Sequence, residues 1–69
     1  MCEVKATGPA FDRMWLTMMV RHHEGAIVMA KTALAKGKNP DTLKLARSII
    51  TGQSAEIAAM NSILKEIPA

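Results

Sequence analysis

The chain has 69 residues, a formal net charge of +3 and a single cysteine, Cys2. That length allows one small domain, and chains this short usually need disulfides, metal or self-association for stability; one cysteine excludes an internal disulfide. The basic residues are scattered from Lys5 to Lys65 without a run or aromatic interleaving, which argues against nucleic-acid binding, and no uninterrupted apolar stretch is long enough to span a bilayer.

Nearly half the residues are hydrophobic, yet there is one Phe, one Trp and no Tyr. The apolar mass is Ala, Ile, Leu and Met, which favours helix over strand. Residues 1 to about 8 are polar without periodicity and are expected to be disordered. No signal peptide is recognisable. Met1-Cys2 fits an ordinary start; a second reading is a lipid-attachment cysteine kept after an export signal is replaced.

Gly8-Pro9 opens a helix, because Pro is tolerated in a first turn. Apolar residues then recur at 11, 14, 15, 18, 19, 26, 27, 29, 30, 33 and 34, a helical spacing. Gly37 supplies the stop, with Lys36 and Lys38 near the negative end of the dipole. Asn39-Pro40-Asp41 reads as a restart, with Asn as N-cap, Pro at the first position and Asp in the first turn. A second series runs through 43, 46, 49, 50, 57, 60, 63, 64 and 67, and Pro68 ends it. The expected fold is all-α, an antiparallel helical hairpin over residues 9–69, with helices at about 9–36 and 40–67.

Winding each helix at about 100° per residue predicts the inward faces. On the first helix Phe11, Trp15, Met18, His22, Ala26, Met29 and Ala33 share a stripe, flanked by Leu16, Met19, His23, Ala30 and Leu34. This arc is wider than one partner helix can cover. On the second helix the stripe is Leu43, Ala46, Ile49, Ile50, Ile57, Met60 and Leu64. Gln53 falls in its middle and Glu56 near its edge. A polar residue centred in an apolar stripe needs a reason, since burying it unpaired costs about 1–3 kcal/mol. A turn centred near Lys38-Asn39 sets His22 level with Ala55 and His23 level with Ser54. Gln53, Glu56 and Ile57 then surround that height, with Met60 near Met18. Gly25 and Gly52 are also level, which predicts close backbone approach beside this layer.

The layer holds the chain's candidate chemistry. In Met18-Met19-Val20-Arg21-His22-His23, each thioether precedes an imidazole by one helical turn, on the same face. Thioether with imidazole suits monovalent copper or silver. His22, His23, Met18, Met19 and Met60 are the candidate ligands. Gln53 and Glu56 are possible ligands or partners that orient a ligating His, and Met29 is a further possibility. Each residue also has an ordinary reading. A buried His can simply bond to Gln53 or Glu56, Met at helical spacing is usually core filler, and a cross-bundle polar pair can fix register.

Other chemistries are missing. Residues three before the histidines are Met19 and Val20, so the Glu-x-x-His pattern of di-iron bundles is absent. No Cys neighbours the histidines, which excludes zinc-finger and Cys/His nucleophile arrangements. There is no glycine-rich phosphate loop.

Phe11-Asp12, Met18 or Met19, His22-His23-Glu24-Gly25-Ala26, Met29-Ala30 and Gln53-Ser54-Ala55-Glu56-Ile57-Ala58-Ala59-Met60 together resemble the bacterial domain-of-unknown-function 305 family, over roughly residues 11 to 64. The resemblance implies a ferritin-like helical bundle, exported or periplasmic, with copper binding and copper tolerance in some members. Many members hold two helical pairs and this chain holds one. Either the chain is a fragment of a longer protein or two copies assemble, and the expectation is a homodimer that completes a four-helix bundle. It would bind a soft metal, copper above all, for buffering or carriage and not for catalysis. The alternative is a metal-free structural or protein-interaction module. A third class is a metal-responsive regulator, against which stands the lack of a basic recognition helix in this sequence.

Overall fold

A computed structural model describes residues 5–68. Among the described residues there are two helices and no strand. Helix α1 spans Gly8–Lys36 and helix α2 spans Pro40–Glu66, packed as an antiparallel hairpin through the connection 37–39. The expectation of a disordered segment over residues 1–8 falls partly outside the described residues, as does Cys2; residues 5–7 carry no regular structure.

The helix ends follow local chemistry. Gly8 takes a φ of 62°, a conformation costly for any residue with a Cβ, and hands over to Pro9 in the first turn of α1. Asn39 caps α2: its Oδ1 accepts the Thr42 backbone N–H at 2.9 Å, with Pro40 and Asp41 in the first turn. Gly37 ends α1 for a reason other than a left-handed φ, since its φ is −79°. Its N–H donates to the Ala33 carbonyl at 2.7 Å. A Cβ there would lie 2.6 Å from that oxygen and 3.3 Å from Leu43 Cδ2, so the tight turn needs the missing side chain.

The two helices meet along a seam with a seven-residue repeat. On α1 it runs through Leu16, Met19, His23, Ala26, Ala30 and Ala33; on α2 through Leu43, Ala46, Ile50, Gln53, Ile57, Met60 and Leu64, all buried or half-buried. The expected facing of α1 is thereby corrected by about 70°, with Ala26 and Ala33 common to the expected stripe and the observed seam. The predicted flank of Leu16, His23 and Ala30 is buried, while Trp15, Met18, His22 and Met29 of the predicted stripe are exposed. Two adjacent faces of α1 are apolar, so its pattern alone leaves the rotation open. The short connection fixes it, because Gly37 continues the seam through residues 16, 23 and 30, with Leu43 Cδ2 only 3.3 Å from where a Cβ at Gly37 would stand.

A second correction concerns Gly25 and Gly52. A Cβ at either would meet nothing within 4 Å. The helices do not approach each other there, because both glycines lie off the seam.

Candidate functional site

The polar layer forms at the middle of the hairpin. His22 is the midpoint of the 29-residue α1, and Gln53 the midpoint of the 27-residue α2. Neighbouring residues on a helix diverge by about 100°, so His22 and His23 enter different environments. His23 sits on the seam at 7% exposure, the buried polar residue of the interface.

Both ring nitrogens of His23 are engaged. Nδ1 lies 2.7 Å from the Met19 carbonyl oxygen, one turn back on α1. Nε2 lies 2.9 Å from Glu56 Oε2 on α2. A carbonyl can only accept, so Nδ1 carries a proton. An ionised carboxylate can only accept, so the geometry matches a second proton on Nε2. The arrangement fits the imidazolium form, and the His23 pKa is raised above its ordinary value. The hydrogen bond to Glu56 is the largest cause, helped by the Met19 carbonyl and the Glu56 charge and opposed by burial. Glu56 keeps 60% of its side chain in solvent, so water screens the pair from outside.

The candidate residues divide into two groups. His23, Met19, Met60, Gln53 and Glu56 belong to the contact between the helices. Met60 is 8% exposed, Met19 and Gln53 are half-buried, and Glu56 reaches His23 from the edge. His22, Met18 and Met29 stand outside the contact; Met18 is 55% and Met29 75% exposed. The layer expected from register forms around His23 and Glu56, two residues from the predicted level partner Ser54. His22, expected nearer the centre, points away from α2.

What His22 shares is an open apolar face. Trp15, Met18, His22, Ala26 and Met29 run along one side of α1. On the same side of α2 run Leu45, Ile49, Ala59 and Ile63. Met29, Ala26 and Ala33 line a shallow groove with Leu45 and Ile49, which places the two exposed faces on one side of the hairpin. On α1 no charge between Asp12 and Lys36 lies within this side, but Arg21 stands at its edge and shares a groove with Met18, Met14, Thr17 and Arg13. On α2 the charge of this side is confined, between Asp41 and Glu66, to Glu56. The opposite side carries Arg13, Glu24, Lys31, Arg47 and Lys65. Leu45 escaped the sequence reading because it falls outside the α2 stripe and stands between Lys44 and Arg47.

Among the described residues no three of His, Cys, Asp and Glu gather into a metal-holding group. A metal site here would rest on thioether with imidazole. Met18 and His22 stand one turn apart on the exposed face and can approach a common ion. His23 can bind an ion only by losing a proton and releasing Met19 or Glu56.

A helical hairpin with a paired His and a second, exposed His beside methionines defines the class of the protein by architecture. The chain matches, over residues 1–64, the family described as "Domain of unknown function (DUF305)", and it belongs to that family. It is also 44% identical over 55 residues to "Uncharacterized protein L153" of Acanthamoeba polyphaga mimivirus. That match covers 80% of this chain and 36% of the relative, so the chain spans about a third of that protein's length. No solved structure matches the chain.

Proposed function

We propose that the protein binds a soft monovalent metal, copper above all, through His22 and Met18. It pairs with a second copy into a ferritin-like four-helix bundle that buffers or carries the ion without catalysis. The observation that carries this reading is the exposed pair Met18 and His22, one helical turn apart on α1. Thioether and imidazole favour monovalent copper over hard cations. A site built on thioether suits an exported or periplasmic setting, where thiolates are lost to disulfides.

Calorimetric titration with monovalent copper, with zinc as control, tests the reading. The expected result is saturable copper binding, weaker zinc binding, and loss of most copper affinity in His22→Ala. Equal binding of copper by wild type and His22→Ala would refute the site.

A second reading has its own observation. His23 already satisfies both ring nitrogens inside the hairpin. A His–Glu pair across two helices fixes their register without metal, and the uncharged face would then serve protein interaction alone. Absence of copper binding, with the fold intact, would favour it.

A further inference from the structure

We infer that the metal site is shared: a second copy docks on the uncharged face, and His22 of each copy supplies a ring nitrogen to one ion at the centre of the interface. This rests on the copper reading above and names the partner that completes the site.

Area argues for the second copy. The protein exposes 5453 Å², whereas a compact monomer of 7.5 kDa exposes about 4,250 Å². The excess, about 1,200 Å², exceeds the roughly 800 Å² that each partner buries in a stable interface. The hairpin is a single layer 14 Å thick and 45 Å long, and stable domains bury an apolar layer against another. Charge agrees. A face with Trp15, Met29, Leu45 and Ile63 exposed, with Glu56 as its mid-length charge and Arg21 at its edge, suits an equally uncharged face. A second copy presents one.

Position places His22 at the centre. Fourteen residues of α1 precede it and fourteen follow. Two kinds of two-fold rotation stack the hairpins face to face along their whole length. Rotation about the long axis preserves height. Rotation about a transverse axis through mid-length inverts height and leaves the midpoint in place. Only the transverse axis, which stacks α1 on α1, brings the two His22 side chains opposite each other; rotation about the long axis sets His22 opposite α2 of the second copy.

Docking then takes a polar ring nitrogen out of water, where it needs a partner. Around it lie Ala26, Gly25 and Met18 of its own helix. One chain offers an ion His22 and Met18. Two chains offer two imidazoles with two flanking thioethers, enough to surround a closed-shell ion without preferred geometry. Because the ion binds two copies together, it must tighten their association by the same factor by which association tightens its binding.

Sedimentation equilibrium of the full chain with silver ion as a redox-inert probe, combined with silver titration, tests this. The expected results are one silver per two chains and a monomer–dimer dissociation constant lowered by about tenfold or more on loading. His22→Ala should keep its helicity and its metal-free dimer while losing the silver-dependent tightening. Silver bound one per chain with association unchanged would overturn the shared site and leave the copper reading standing. A monomer at every concentration, loaded or not, would also overturn it. No silver or copper binding at any ratio would sink both.

Discussion

His22 and His23 are adjacent in sequence and opposite in environment: His23 is 7% exposed with both ring nitrogens hydrogen-bonded, and His22 stands in solvent on the uncharged face. The divergence follows from the helical rotation between neighbours. It separates a residue that holds the hairpin from a residue free to meet a ligand.

Single substitutions should therefore act differently. His22→Ala removes an exposed side chain and should change the stability of the metal-free hairpin by no more than about 0.5 kcal/mol. His23→Ala removes a buried ring and its bridge to Glu56, and should lower the denaturation midpoint clearly. Urea denaturation at one fixed protein concentration compares them. Equal midpoints for the two variants would contradict the seam position of His23.

Stability should also depend on pH in a defined direction. The His23 pKa is raised, chiefly by the Glu56 hydrogen bond. The folded state thus holds a proton that the unfolded chain releases near pH 6.5, the ordinary histidine value. The contribution is complete below about pH 6.5 and is lost as pH rises through the folded-state pKa. Denaturation midpoints should fall as pH rises above about 6.5, and Glu56→Gln should flatten that fall. A midpoint that rises over this window would reverse the assignment.

Two glycines should respond to alanine with opposite signs. Gly25 is inside α1 with nothing within 4 Å of a built Cβ, so Gly25→Ala should stabilise the hairpin by up to about 1 kcal/mol. At Gly37 a Cβ meets the Ala33 carbonyl at 2.6 Å, so Gly37→Ala should destabilise it, although its φ of −79° suits alanine. Thermal melts of both variants decide this. Stabilisation by Gly37→Ala would mean the turn relaxes without cost.

The methionines should separate by burial. Met18→Leu removes an exposed sulfur beside His22 and should reduce the preference for monovalent copper over zinc. Met60→Leu replaces a buried thioether with a side chain of similar volume and should leave that preference unchanged, with a stability change below about 1.5 kcal/mol. Competition titrations of both metals provide the readout. Loss of copper preference in Met60→Leu alone would move the site into the seam.

Much of the hairpin was legible before any coordinates. Pro9, Gly37, the Asn39-Pro40-Asp41 restart and Pro68 are local signals, and each acts at the position it occupies. Gln53 in the α2 stripe was legible too, because the residues spaced around it, Ala46, Ile50, Ile57, Met60 and Leu64, are apolar at helical spacing. The level of the polar layer followed from the turn and the rise per residue.

The rotation of α1 was decided by tertiary structure. Its apolar arc contains two usable seams about 100° apart, one through Trp15, Met18 and His22, the other through Leu16, Met19 and His23. Periodicity weighs them alike, since both are apolar at helical spacing. Packing separates them: the three-residue connection turns the second seam, which Gly37 continues, toward α2. Sequence by itself determined that two histidines would sit at mid-length beside methionines. Only the packed pair decided that His23 would bridge to Glu56 and that His22 would face outward.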